Sequence, residues 1–176
     1  MVIGLILFTA LLSWQGFQNQ AFLEKMLFIP YRIKHHSEWY RFFTHMVVHL
    51  DWSHLLFNML TLFFIGDFFF WQLTSFFGKF GGVYYFALLY LMGGLFATLY
   101  AYYRHQDDPH YRSLGASGAV TAVLFAFIAL NPTQELSLLF IPLPIPAFIF
   151  GPLYLLIEYY AFRKGNTGIA HDAHIS

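Results

Sequence analysis

Apolar runs separated by short polar breaks organise this chain. Val2 to Phe17 is apolar apart from Ser13 and Gln15 and is just long enough to cross a bilayer. His54–Trp71 is the second run, Val83–Tyr103 the third, Gly115–Leu130 the fourth and Ala147–Phe162 the fifth. Gln18–Ser53, between the first two, mixes Lys25, Arg32, Lys34 and Arg41 with many aromatic and aliphatic residues. It is too apolar for a flexible linker and predicts short helices folded in the membrane interface. Phe76–Gly82, with Gly78, Lys79 and Gly81, predicts a tight turn, and Arg104–Leu114 a polar loop. Asn131-Pro132 ends the fourth run, because proline disfavours helix in its predecessor. Leu136–Pro146, punctuated by Pro142, Pro144 and Pro146, predicts an extended connection, and Gly151-Pro152 a kink or gap in the fifth run.

After a basic loop, Arg163–Thr167, the stretch Gly168–Ser176 starts another apolar segment, well short of the roughly 20 residues that a span needs. The expected architecture is all-α: a bundle of five complete transmembrane helices plus the start of a sixth, in one domain over residues 1–176, with no internal repeat. Composition agrees. The chain is 59% hydrophobic, 22% aromatic and only 10% charged, against about 25% charged residues in average soluble chains. A soluble domain of 176 residues could not hide that apolar surface, so a multi-pass membrane protein in contact with lipid is expected. Zero net charge gives no electrostatic case for nucleic acid. The absence of cysteine excludes disulfides and thiolate metal sites. With no basic n-region and no small-residue cleavage site, residues 2–14 read as a retained span rather than a signal peptide.

Polar groups inside membrane helices are costly and default to functional candidates. Ser117 lies in Gly115-Ala116-Ser117-Gly118-Ala119-Val120, where the fourth helix begins. The first N–H groups of a helix lack intrahelical partners and carry the positive end of its dipole, so they can receive an oxyanion. Gly115, Ser117 and Gly118 also fit a simple packing face, since small residues let membrane helices approach. His54 and Asn58 are four residues apart and share a helical face, where they suit either interhelical hydrogen bonding or oxyanion stabilisation. His174 is the natural base for Ser117, because a serine hydroxyl needs an imidazole to accept its proton. Asp172 stands at the wrong helical offset to orient it, so a dyad is expected rather than a triad. Asp67 carries no assigned chemistry. The His45/His49 and His171/His174 pairs have zinc-like spacing, but no His-Glu-x-x-His occurs and no metal or other cofactor is expected.

Taken together, these residues resemble the rhomboid family of intramembrane serine proteases, most nearly its bacterial, Bacteroidetes-type members. Glu38-Trp39-Tyr40-Arg41-Phe42-Phe43-Thr44 looks like the family's first-loop signature. His45-x3-His49-x4-His54-x3-Asn58 is similar to its second-helix pattern, and Gly115-Ala116-Ser117-Gly118 to its Gly-x-Ser-Gly motif. Ala170-His171-Asp172-Ala173-His174 looks like the start of its Ala-His-x-x-Gly motif. The resemblance implies Ser117 as nucleophile and His174 as general base. It implies His54, Asn58 and the Ser117 N–H, within the frame of Gly115 and Gly118, as the oxyanion site. Trp39 and Arg41 would belong to the first-loop fold, and His49 would line a water-filled cavity with His54 and Asn58. The fifth span would gate lateral access for a substrate's transmembrane segment, and the location implied is a bacterial inner membrane.

Two features depart from the pattern. The family glycine after the base would fall just past Ser176, so the chain as given is expected to be poorly active and a longer form active. Eight of the nine Lys and Arg residues lie in the first, third and fifth loops, and Lys79 is alone in the second. Positive-inside reasoning would put the odd loops in the cytoplasm, whereas the family places its active site outside beneath them; the family orientation is preferred here. A rhomboid-like pseudoprotease that binds transmembrane helices without cutting them is the rival expectation. A transporter is disfavoured by the lack of a repeated pair of broken helices. Substrate identity and oligomeric state have no signature in the sequence.

Overall fold

The computed structural model describes residues 1–138 and 141–164. Helix α1 (Val2–Gln18) turns at Asn19 directly into α2 (Gln20–Met26). The Asn19 side chain caps α2 by accepting the Phe22 N–H at 3.0 Å. Helix α3 (Pro30–His36) starts with the proline where a missing N–H costs nothing, and α4 (Arg41–Thr44) runs into a 3-10 turn over His45–Val47. The loop after the first run is therefore a folded unit of short helices, as its apolar content predicted.

Helix α5 (Trp52–Thr61) begins two residues earlier than the pattern predicts, because Asp51 caps it. The Asp51 carboxylate accepts the His54 N–H at 2.8 Å and the Ser53 hydroxyl at 2.6 Å. The helix continues through a π turn (Leu62–Gly66) into α6 (Asp67–His105). The expected turn over 76–82 shrinks to one residue, Gly78, at φ 72° and ψ 171°. There the helix folds back on itself, so Phe70 meets Phe86 at 5.8 Å and Phe77 meets Tyr85 at 4.6 Å between ring centroids. Gly82 permits this: a Cβ on it would stand 2.4 Å from Thr74 Cγ2. Trp52–His105 is long and apolar enough to cross a membrane, while Val2–Gln18, Ser117–Leu130 and Ala147–Ile157 are shorter apolar helices.

Helix α7 (Ser117–Leu130) packs against the second arm of α6 through small residues. A Cβ on Gly93 would lie 2.3 Å from the Ala122 methyl, and one on Gly118 would lie 2.4 Å from the Ala97 methyl. The backbones approach closely because neither side has bulk, as in other membrane helix pairs. Leu62, Phe86, Val123 and Phe127 fill the core around this crossing, while Ile3, Leu7, Phe8 and Leu11 of α1 and Phe63 are exposed.

The proline-punctuated stretch differs from the all-α expectation. It forms an antiparallel hairpin of β1 (Glu135–Leu138) and β2 (Ile141–Pro146), with Leu136 opposite Ile145. Helix α8 (Ala147–Lys164) then runs through Gly151-Pro152 as one helix with Pro152 inside it, so of the expected kink or gap the gap is absent. Pro152 faces outward, and bare Gly151 lets α8 approach α7, since a Cβ there would sit 3.2 Å from Phe125 Cε1.

Candidate active site

Three successive anchors set the path into Ser117. Ser113 and Phe28 exchange backbone hydrogen bonds at 3.1 and 2.9 Å, the Gly115 N–H donates to the His45 carbonyl at 2.9 Å, and the Ala116 N–H donates to His49 Nε2 at 3.3 Å. Every anchor comes from the folded first loop. Gly115 has φ 119°, which a side chain would strain, and a Cβ there would meet His54 Cε1 at 2.5 Å. Glycine is thus required twice over at this position. Ser117 then opens α7, and the first intrahelical bond is Val120 N–H to the Ala116 carbonyl at 2.9 Å. The N–H groups of Ser117, Gly118 and Ala119 precede that bond, at the positive end of the helix.

His49 is fully buried and bonded through both ring nitrogens. Nδ1 meets Ser13 Oγ at 3.0 Å, and Ser13 in turn donates to the Val47 carbonyl at 3.4 Å. With the Ser13 proton directed to Val47, His49 Nδ1–H is the donor to Ser13 and Nε2 is left to accept from Ala116. This tautomer is the neutral one. Burial holds it neutral, lowering the pKa to about 3 with further help from neighbouring His54, against the opposing pull of Asp51. His45 is likewise buried and neutral, its pKa lowered to about 4 by burial although its Nδ1 donates to the Arg41 carbonyl at 2.9 Å.

His54 stands in the first turn of α5, its ring edge-on to His49 at 4.9 Å. One turn further, Asn58 Nδ2 donates to the His54 carbonyl at 3.1 Å. His54, Asn58 and Ser117 line one end of a cavity of about 770 Å³ between α5, α7, β1 and α8. The far end is lined by Gln134 and Glu135, beyond the C-terminus of α7. Between them, Thr121 and Tyr154 approach oxygen to oxygen at 3.4 Å across α7 and α8.

Arg41 is fully buried and ties the first loop together. Its guanidinium donates to the Glu24 and Leu27 carbonyls at 2.9 and 2.7 Å, at the C-terminal end of α2, and pairs with Glu38. Thr44 adds a bond to the Met26 carbonyl at 2.9 Å. Burial raises the Glu38 pKa, but the hydrogen bond and charge of Arg41 outweigh it and hold the carboxyl below its usual range. Trp39 is exposed and stacks on Phe42 at 6.2 Å.

The structure thus brings Ser117, His54, Asn58 and Gly115 together. It places Gly118 in the α6–α7 crossing against Ala97. The expectation that the His49 ring lines the cavity is not met, because the ring is buried behind the loop and spent on Ser13 and Ala116. Both ring nitrogens of His49 are taken up by Ser13 and Ala116, and His45 Nδ1 by the Arg41 carbonyl. His171, Asp172 and His174 lie outside the described residues. The sequence pattern does not mark Ser13 as a partner of this site; its only signal is a hydroxyl in a mostly apolar helix.

A family model described as the Rhomboid domain matches residues 36–176. RHOMBOID-like protein 12, mitochondrial, of Arabidopsis thaliana is 28% identical over 191 residues, covering 99% of this chain and 54% of that protein. The chain thus spans about half the length of the curated relative it matches. That relative's name places it in mitochondria, so it lends no support to the bacterial inner membrane expected from the resemblance.

Proposed function

The chain belongs to the rhomboid family, and from that premise we propose that it is an intramembrane serine endopeptidase acting on transmembrane segments of other proteins. Membership makes it an integral membrane protein whose family acts on membrane-protein substrates within the bilayer. The observation that carries the reading is the setting of Ser117. It opens α7, faces the cavity shared with His54 and Asn58, and follows a backbone pinned by His45 and His49.

In the proposed arrangement α1, the two arms of α5–α6, α7 and α8 are five spans, and residues 168–176 open a sixth within one domain. His174 takes the Ser117 proton as the hydroxyl attacks the scissile carbonyl. The resulting oxyanion is received by His54, by the second amide hydrogen of Asn58 and by the Ser117 N–H. One such donor is worth roughly 2.7–4 kcal/mol in acyl transfer. Collapse expels the amine, protonated by His174, and leaves an acyl-enzyme on Ser117. His174 then activates the water that hydrolyses it. The substrate helix must unwind locally first, because a helical carbonyl is engaged by its own hydrogen bond; helix-weakening residues near the cut ease this. Neither metal nor cofactor enters the scheme.

The test is cleavage of a model transmembrane substrate by the full natural chain in liposomes, with Ser117→Ala and His174→Ala alongside. Cleavage abolished by both substitutions supports the reading. An uncleaved substrate that still binds would make the protein a transmembrane-helix receptor, and cleavage that persists in Ser117→Ala would overturn the assignment of the nucleophile.

A further inference from the structure

The hairpin at the far end of the cavity has one edge able to pair and one that is not. β2 carries Pro142, Pro144 and Pro146, so three of its six residues have no N–H to give. Such a strand is confined to the margin of a sheet. β1 has no proline and, among the described residues, pairs with β2 alone. Among the described residues no backbone hydrogen bond reaches its other edge. A free edge with its donors intact is a template for an extended chain.

That strand belongs to the cavity that holds Ser117, since Glu135, Leu136 and Ser137 all line it. Glu135 is the one carboxylate among the described lining residues, is exposed, and makes no ion pair among the described residues. Helix α7 separates the two ends and, at about 1.5 Å per residue, spans roughly 20 Å. A polypeptide whose scissile bond lies at Ser117, inside a hydrocarbon layer of about 30 Å, has crossed most of that layer by the level of β1. There a transmembrane segment gives way to its flank, which is no longer held helical by the apolar layer and is commonly rich in Lys and Arg.

We propose that β1 is a docking edge for the basic juxtamembrane flank of a transmembrane polypeptide, which adds to the hairpin as a third strand while Glu135 pairs with its Lys or Arg residues. The identity of the occupant rests on the protease reading; the edge and its charge do not. Specificity would then be set at two places: helix instability near the cut, and an extended basic stretch about 13 helical residues away.

The experiment uses the full chain carrying Ser117→Ala, with a photoreactive benzoylphenylalanine at Ser137, or at Gln134 should the first variant not fold. It is reconstituted in liposomes with a synthetic peptide of about 20 apolar residues followed by a Lys-rich, Thr/Val-containing flank. Irradiation is expected to give an adduct on the flank. Glu135→Lys should lower its yield about fivefold, as expected for loss of an exposed ion pair and its reversal to repulsion, and a Glu-rich flank should restore it. Proline scanned through the flank should weaken the adduct at every second position, because a strand turns alternate N–H groups to its partner. No adduct from either probe, or an adduct indifferent to both charge and proline, overturns the proposal. Cleavage by the wild-type chain without a flank adduct would sink the docking edge alone; a flank adduct without cleavage would uphold the edge and count against the protease reading.

Discussion

Replacing His49 by phenylalanine keeps a ring of similar size in a fully buried position and deletes both of its hydrogen bonds. The Ala116 N–H is left buried without its acceptor, which costs about 1–3 kcal/mol, and losing the bond to Ser13 adds about 0.5–1.5 kcal/mol. The expected loss is therefore roughly 2–4 kcal/mol, partly offset because phenylalanine is more easily buried than imidazole. The damage falls on the residue immediately before Ser117, so the start of α7 should shift. A displacement near 1 Å in a catalytic group can cost about 100-fold in rate. The assay pairs reversible unfolding in lipid bicelles with the rate at which a fluorophosphonate labels Ser117. His49→Gln, which keeps a donor and an acceptor, should recover part of both losses. A His49→Phe protein that unfolds at the wild-type midpoint and labels at the wild-type rate would refute the claim that the first loop positions the nucleophile.

Other expected outcomes follow from the same contacts. Gly118→Ala forces a methyl to within 2.4 Å of Ala97 and should cost about 1–3 kcal/mol by overpacking, with Ala97→Gly in the same chain restoring most of it in the unfolding assay. Arg41→Met strands the Glu38 carboxylate and the carbonyls of Glu24 and Leu27. The carbonyls lose a charged donor while Glu38 keeps partial access to water, so a loss of about 2–4 kcal/mol is expected, read as early proteolytic nicking of residues 20–47. His45 and His49 have folded pKa values of about 4 and about 3, below the ordinary histidine value of 6.5, so the unfolded chain binds more protons between those values. Their stabilisation is present in full above about pH 6.5 and is lost as pH falls, at up to about 1.4 kcal/mol per pH unit for each ring. An unfolding midpoint that stays flat from pH 7 to pH 5 would contradict the buried, neutral assignment.

Much of this arrangement was legible in the chain because membrane helices leave few ambiguities. Ser117, His54 and Asn58 stood out as polar groups in apolar runs, and the four-residue offset of His54 and Asn58 puts both on the cavity that Ser117 also lines. What the pattern could not carry were contacts between distant segments. The Ser13–His49–Ala116 chain joins three segments, and nothing in periodicity says that an isolated hydroxyl in α1 faces a histidine of the loop. The pattern predicts a seven-residue turn where the fold uses Gly78 alone, because Lys79, Gly81 and Gly82 all look like turn formers. In the fold they stay helical, and Gly82 lies against Thr74 where a Cβ would clash. For the hairpin the pattern predicts only extended chain, because prolines that mark β2 as an edge also suit an unpaired loop. Gly118 fits an oxyanion frame and a packing face equally well in sequence, and the contact with Ala97 is what the fold adds.

The most direct measurement is mass-spectrometric mapping of the fluorophosphonate adduct on the full natural chain in lipid. A single adduct on Ser117 is expected, lost in Ser117→Ala and strongly slowed in His174→Ala. An adduct on another serine, or labelling of Ser117 that is indifferent to removal of His174, would contradict it.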